Sequence, residues 1–297
     1  MSPPVTVGIP VLDGLESVAA DRDGLILDLW GVMHDGLTAY PGVVEALEAI
    51  RAAGLRTLLL TNAPRASASI VDSMADMGIA PDLYDGILSS GDAVREDLQA
   101  RTDPAFAALG RRFWHLGPDR DRSMFEGLDL DQVETPEEAT FVLNTGPWSF
   151  SETVADYQAR LDRCRARALP MICANPDREI IREGKRVICA GALAARYAEM
   201  GGPVIDRGKP HPAIYDRVLE RLGITDRRRV LAVGDGPHTD LKGAAAAGID
   251  AVFVTGGLCA EALGLSAYGE RPDPDRVAAL CAAEGLAPIA AIPGLRW

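Results

Sequence analysis

Aromatic residues are scarce in this 297-residue chain, at 5%. Basic residues are outnumbered: 30 Lys and Arg against 43 Asp and Glu leave a formal net charge of −13 at pH 7. A surface that acidic repels phosphate backbones, which argues against a nucleic-acid partner or a basic membrane-surface role. Long apolar runs are missing as well. The richest, Ala251 to Ala260, is ten residues long and holds two glycines, against the roughly 18 residues a membrane span needs. The first residues, Met1-Ser2-Pro3-Pro4-Val5, lack the basic stretch and apolar core of a secretory leader. Five cysteines at wide, irregular gaps include no Cys-x-x-Cys pair, so neither a disulfide framework nor a zinc knuckle is supported. Four histidines form no His-Glu-x-x-His or His-x-x-x-His pair. The expectation is a soluble protein of a reducing cytoplasm.

What the chain does have is alternation between short apolar runs and amphipathic stretches of helical length. Leu25-Ile26-Leu27, bounded by Gly24 and a polar turn, suits a strand buried on both faces. Val43 to Ala53 places Val43, Val44, Leu47 and Ile50 on one helical face before Gly54. Thr57 to Leu60 is again a strand, Ile70, Met74 and Met77 mark a helix ending at Gly78, and Gly86 to Leu88 starts another strand. The pattern resumes with a helix over Pro212 to Leu222, a strand over Arg229 to Val233, a helix over Thr239 to Ala247 and a strand over Ala251 to Val254. Such alternation predicts an α/β fold, a doubly wound, Rossmann-like parallel sheet. The middle of the chain has its own strands (Thr140 to Leu143, Met171 to Cys173) and a helix around Glu152 to Arg167. It reads as an inserted α/β cap domain at 103–182, between core parts 1–102 and 183–297. The tail from Pro272 to Trp297 reads as a helix through Val277, Leu280 and Cys281 followed by an extended end.

In doubly wound sheets ligands bind beyond the carboxyl ends of the strands. Four polar clusters follow buried runs: Asp28-Leu29-Trp30-Gly31-Val32, Thr61-Asn62, Gly208-Lys209-Pro210 after Val204-Ile205-Asp206, and Gly234-Asp235-Gly236 with Asp240 beyond it. Each alone is ordinary cap or turn chemistry. Gly208-Lys209 is not a P-loop, because Pro203 stands where its first glycine belongs and Pro210 where it needs Ser or Thr. Gly234-Asp235-Gly236 is not a dinucleotide fingerprint, because Thr239 takes the third glycine position. All four in this order are improbable as accidents.

Together they make a phosphoryl-transfer site. Asp28, Asp235 and Asp240 brought together need a cation between them, and oxygen-only ligands select a hard ion, Mg²⁺. Three carboxylates, one Mg²⁺ and Lys209 sum to zero, so a phosphate dianion can enter without net repulsion. Thr61, Asn62 and neighbouring amides hold phosphate oxygens, and Asp28 attacks phosphorus to form an aspartyl-phosphate.

The order Asp28, Thr61-Asn62, Lys209, Gly234-Asp235 and Asp240 resembles the four motifs of the haloacid-dehalogenase-like (HAD) hydrolase superfamily. Its spacing is similar to the class IIA branch, the para-nitrophenyl phosphatase-like and pyridoxal phosphatase-like enzymes, with a cap inserted between the second and third motifs. Thr61-Asn62-Ala63-Pro64 and the cap-loop string Cys173-Ala174-Asn175-Pro176-Asp177 carry that likeness. The resemblance implies Asp28 as nucleophile and metal ligand, Thr61 on the phosphoryl group, and Lys209 steadying both. It further implies Asp235, Asp240 and the main-chain carbonyl of Trp30 at the metal, and Asn175, Asp177 and Arg178 facing the substrate. Such caps often form homodimers.

One position departs from the pattern. Family phosphatases carry Asp where this chain has Trp30, and indole neither titrates nor accepts a proton. The expected activity is Mg²⁺-dependent hydrolysis of a small phosphorylated metabolite, slow or selective for leaving groups that need no proton. His34 and Asp35 are candidates to replace the missing acid and base. The alternative is a catalytically weak phospholigand-binding or regulatory protein on the same fold. Dehalogenation would leave Asp235 and Asp240 unexplained, and a phosphoacceptor signalling domain would not need the cap. Trp148 is read as packing rather than as pocket lining. Arg182, Lys185 and Arg186 form either a solvated face or a seat for a second anionic group.

Overall fold

A computed structural model describes residues 8–297; the expectation about the first five residues falls outside them. In chain order its strands are β1 (Gly24–Leu27), β2 (Arg56–Thr61), β3 (Gly86–Ser89), β4 (Arg112–Leu116), β5 (Asp131–Val133), β6 (Phe141–Asn144) and β7 (Met171–Cys173). There follow β8 (Glu179–Arg182), β9 (Lys185–Ile188), β10 (Val204–Asp206), β11 (Val230–Gly234), β12 (Asp250–Val254) and β13 (Ala290–Ile292). The chain folds as two compact units. The first comprises the residues up to Leu60, Ala75–Gly86 and Tyr215–Trp297; the second comprises Thr61–Met74 and Ile87–Ile214. No helix of the described residues is long and apolar enough to cross a membrane.

The first sheet has the order β13-β12-β11-β1-β2-β3, with parallel register Leu25↔Leu231, Leu25↔Thr57 and Val233↔Val252. All four residues of β1 and all five of β11 are buried, as strands covered by helices on both faces must be. The helix Val43–Ala52 presents Val43, Ala46, Leu47 and Ile50 to the core, and Gly54 ends the turn that follows at a φ of 77°. The expected parallel α/β architecture is therefore observed. In the tail, Asp273 caps the helix Pro274–Ala283 and Val277 and Cys281 are buried. The extended end beyond it is more than a packing arm: β13 adds a parallel edge strand, pairing Val252 with Ala290. The expected helix at Thr239 also begins differently. Pro237–Leu241 forms a π-helical turn, in which the Gly236 carbonyl accepts from the amides of Asp240 (2.9 Å) and Leu241 (3.1 Å). The α-helix proper is Lys242–Ala246.

The second unit is built on a second parallel sheet, β10-β7-β6-β4-β5, beside a β8-β9 hairpin. One face buries Tyr157, Leu161, Leu193 and Tyr197, the other Leu98, Phe106, Phe113 and Phe141. Val204-Ile205-Asp206 joins this sheet rather than the first, pairing Ile205 with Ile172. The sheet thus reaches Asp206, past the expected end at residue 182, and the helix Ala190–Glu199 packs into its core. Around Glu152 to Arg167 the helix is shorter than expected, Gln158–Ala166, led in by a 3-10 turn at Val154–Tyr157. Trp148 packs as expected, stacked on Tyr157 with ring centroids 5.2 Å apart.

Candidate active site

Asp28 directly follows β1 and Asp235 directly follows β11, and these strands are hydrogen-bonded neighbours. The ladder extends one residue past β1, the Asp28 amide donating to the Val233 carbonyl at 3.0 Å. Parallel register therefore delivers both carboxylates to one edge, and the π-helical turn after Gly236 brings Asp240 back to it. Asp28, Asp235 and Asp240 offer carboxylate oxygens that all lie within 4.8 Å of one another. Each side chain is nearly enclosed, 5% to 7% exposed. Asp235 accepts from the Leu258 amide at 2.6 Å, and Asp240 from the Gly236 amide at 3.1 Å. Buried carboxylates this close repel one another unless a cation lies among them.

Main chain walls the cluster. A β-carbon on Gly31 or on Gly257 would run into the Asp235 carboxylate, and one on Gly234 into Asp240. Gly31, at a φ of 80°, holds the Trp30–Gly31 peptide against Asp235. Such an oxygen-only donor set fits a hard divalent ion such as Mg²⁺. The sequence reading passed over Gly257 and Leu258; their signal was a glycine pair just past the carboxyl end of buried β12.

Downstream of Asp28 the loop folds on itself. The Gly31 amide donates to the His34 carbonyl at 3.0 Å and the Tyr40 amide to the Met33 carbonyl at 2.8 Å. The Trp30 indole lies against Gly36, where a β-carbon would strike the ring, and meets His34 edge-on at 5.6 Å. His34 Nδ1 accepts from the Gly36 amide at 3.0 Å, which puts the proton of the neutral ring on Nε2. Asp35 Oδ1 accepts from the amides of Leu37 (2.9 Å) and Thr38 (2.8 Å). Partial burial pulls the Asp35 pKa upward, but the hydrogen bonds from Thr38 and Leu37 outweigh it and leave it below its ordinary value. Neither residue therefore suits the substitute acid–base role expected of it: His34 has its basic nitrogen engaged, and Asp35 is a weakened base. At the loop's base, Tyr268 donates to the Val32 carbonyl at 2.6 Å and accepts from the Leu295 amide at 2.8 Å.

The second unit gathers the other expected residues. Asn62, 1% exposed, bonds both backbone polar groups of Lys209: its Oδ1 accepts from the Lys209 amide at 2.8 Å and its Nδ2 donates to the Lys209 carbonyl at 3.0 Å. The second Nδ2 hydrogen goes to Asp177 Oδ1 at 2.8 Å. Both Nδ2 hydrogens of Asn62 are thus used within the protein, and its side chain holds the Lys209 backbone. Gly208, at a φ of 115°, lies where a β-carbon would meet Asn62 and Ser90. The Thr61 hydroxyl accepts from the Ala63 amide at 3.2 Å, leaving its own proton for an outside acceptor. Asn175 is buried and accepts from the Asp177 amide at 3.0 Å. Arg178, Lys185 and Arg186 are exposed, and Arg186 pairs with Glu179.

A buried carboxylate cluster at the switch point of a parallel α/β sheet is the arrangement expected of a haloacid dehalogenase-like hydrolase. The chain belongs to the haloacid dehalogenase-like hydrolase family. The description of that family matches residues 25–131, and a HAD-hydrolase-like description matches residues 206–280. A haloacid dehalogenase-like hydrolase from Brucella suis 1330 is 35% identical, with a TM-score of 0.81 over 96% of this chain and 99% of that one. Glycerol-3-phosphate phosphatase of Homo sapiens is 26% identical over 82% of each chain. D-glycerol 3-phosphate phosphatase of Mycobacterium tuberculosis is 26% identical, over 82% of this chain and 66% of that one. The class IIA likeness expected from the motif order agrees with these relatives.

Proposed function

We propose that this chain is a Mg²⁺-dependent phosphohydrolase acting on a small phosphorylated metabolite, with Asp28 as nucleophile. The observation that carries the proposal is the buried triad of Asp28, Asp235 and Asp240, with oxygens within 4.8 Å. Asp28, Asp235, Asp240 and the Trp30 carbonyl would hold the ion, which when bound supplies positive charge to the phosphoryl oxygens. A carboxylate oxygen of Asp28 attacks phosphorus as the bond to the leaving oxygen breaks with its electron pair. The Thr61 hydroxyl and the Lys209 ammonium donate to the phosphoryl oxygens. Water then attacks the aspartyl-phosphate, passing one proton to bulk solvent as the Asp28–phosphorus linkage breaks, so that phosphate leaves and the carboxylate is restored, while the departed leaving group takes its proton from solvent. Asn62 keeps Lys209 in place, and the inserted stretch 103–182 acts as the cap, with Asn175 and Asp177 on its substrate-facing loop. The two glycerol-phosphate phosphatases among the relatives support a small-molecule substrate, and the family's caps support a homodimer.

Nothing at Trp30 donates a proton to the leaving group, and His34 and Asp35 are committed to their own loop. General acid–base help is worth about 10²–10⁴-fold. Acyl and aryl phosphates, whose leaving groups depart as anions, are therefore the better substrates. The same commitments favour a second reading, a phospholigand-binding protein of slow turnover. Phosphate release from para-nitrophenyl phosphate, acetyl phosphate and alkyl phosphates, with Mg²⁺ or EDTA and beside Asp28→Asn, separates the two. Mg²⁺-dependent release lost in Asp28→Asn supports the hydrolase; no release from any of them leaves the binding protein.

A further inference from the structure

The second sheet has its own carboxyl edge. Leu116 lies opposite Asn144, Asn144 opposite Cys173, and Cys173 opposite Asp206, so the loops leaving β4, β6, β7 and β10 start at one level. Ligands of parallel sheets bind beyond such an edge. Two of these loops carry Asn175, Asp177 and Lys209, already given parts in the proposed function. The other two carry Arg120, Asp121, Thr145 and Phe150, which the proposed reaction does not use.

Asp121 is buried, 2% exposed, and two guanidinium groups approach it. Arg65 Nε is 4.0 Å and Arg120 Nε 3.9 Å from its Oδ1. Arg120 also lies over the ring of Phe150 at 4.6 Å, and Arg182 lies over the same ring at 4.6 Å. Phe150 is 39% exposed, an aromatic plate holding two cations. Arg182 joins no ion pair among the described residues. Other arginines of this unit are committed: Arg186 to Glu179, and Arg207 to Asp97 and Asp103. Three guanidinium groups against one carboxylate leave a local charge of +2 in a chain whose formal charge is −13. Burial lowers the Arg120 pKa, and Arg65 and Arg182 lower it further against the pull of Asp121. Like charges gathered this way are in place for an anion.

Arg65 belongs to the loop that opens with Thr61, four residues away, hence at most about 14 Å between α-carbons. Its carbonyl accepts from Ser89 Oγ at 2.6 Å, which anchors that loop. We infer that Arg65, Arg120 and Arg182 seat a second oxyanion of the substrate, so that phosphate esters carrying a carboxylate or a second phosphate are preferred. This rests on the phosphoryl-binding role proposed for Thr61. Guanidinium forks match both oxyanions bidentately.

The test is calorimetric binding to the Asp28→Asn protein with Mg²⁺, using glycerol 3-phosphate, 3-phosphoglycerate and 1,3-propanediol bisphosphate. At least one of the latter two binds about tenfold or more tightly than glycerol 3-phosphate, and which one identifies the oxyanion as carboxylate or phosphate. Adding Arg182→Gln or Arg120→Ala reduces that preference to within about twofold, while Arg163→Ala, a surface residue paired with Glu137, leaves it intact. Equal affinity for all three ligands overturns the inference, and so does a preference that survives both arginine changes. Because the readout is binding, a preference found in a protein that hydrolyses nothing would sink the phosphohydrolase reading and leave the oxyanion seat standing.

Discussion

Replacing Asn62 separates its two chemical ends. Asn62→Ala removes three hydrogen bonds, two buried ones to the Lys209 backbone and a partly buried one to Asp177, at about 1 kcal/mol each. The expected loss of stability is about 3 kcal/mol. Asn62→Asp has the same shape, keeps an acceptor for the Lys209 amide, and turns the donating end into an oxygen. That oxygen faces the Lys209 carbonyl and the Asp177 carboxylate, neither of which donates. The penalty is capped by the cost of keeping the new carboxyl protonated. At pH 7.5 that is about 5 kcal/mol for an ordinary pKa of about 3.9. Asn62→Asp is therefore the less stable variant at pH 7.5, by up to about 2 kcal/mol. The sign with pH follows from linkage. A folded-state pKa raised above the unfolded value favours folding at low pH, and that contribution is lost as pH rises. The deficit of Asn62→Asp thus shrinks on acidification by as much as about 1.4 kcal/mol per pH unit, whereas that of Asn62→Ala does not follow this slope. Urea unfolding of wild type and both variants between pH 5 and 7.5 measures this directly. An Asp variant as stable as the Ala variant at pH 7.5, or a deficit indifferent to pH, would mean that the Asn62 amide does not face Lys209 and Asp177 as described.

Three other outcomes are expected. Trp30→Asp should raise kcat/KM for alkyl phosphates over para-nitrophenyl phosphate, with about 10²-fold as the lower end of the general-acid range; a uniform change in both substrates would show that proton donation is not what Trp30 withholds. His115, buried beside Thr145 with its pKa lowered to about 4 chiefly by burial, stays neutral in the folded state while the unfolded chain protonates. Stability relative to His115→Gln should then fall as pH drops from about 6.5 to 4, by about 3 kcal/mol, and parallel unfolding curves would refute it. Tyr268→Phe removes the hydroxyl joining Val32 to Leu295 and should cost about 1–2 kcal/mol. Faster amide exchange should appear at Tyr40 and Gly31, and an unchanged exchange pattern would count against the tie.

The core was legible because its chemistry is local. A glycine, an apolar run and a polar residue at the carboxyl end mark β1, β2 and β11, and position alone then delivers Asp28 and Asp235 to one edge. Elements that owe their form to partners elsewhere were not legible. β13 is Ala290-Ala291-Ile292 between prolines 288 and 293, and it becomes a strand only by pairing with β12. Val204-Ile205-Asp206 reads correctly as extended, but which sheet receives it is not written in three residues. The helix Ala190–Glu199 was readable and missed: Ala190, Leu193, Ala194 and Tyr197 are buried at helical spacing. Asn62 was placed in the site, yet only the hydrogen-bond geometry distinguishes a residue that touches substrate from one that holds a neighbour. Of the arginine group only Arg182 was offered as a seat for a second anion; Arg65 and Arg120 come from distant loops and Arg182 from β8, so no spacing along the chain joins the three.

Glycines at 31, 234 and 257 leave the carboxylates enclosed by main chain, with no side-chain bulk on those sides to trim. Such a wall cannot be enlarged by the small substitutions through which binding pockets ordinarily drift. A change of preferred ion would have to come from the ligands themselves, by lengthening Asp to Glu or by exchanging an oxygen donor. Mutational variety in this chain should therefore concentrate in the second unit, where altering one arginine of the proposed oxyanion seat would leave the carboxylate cluster untouched.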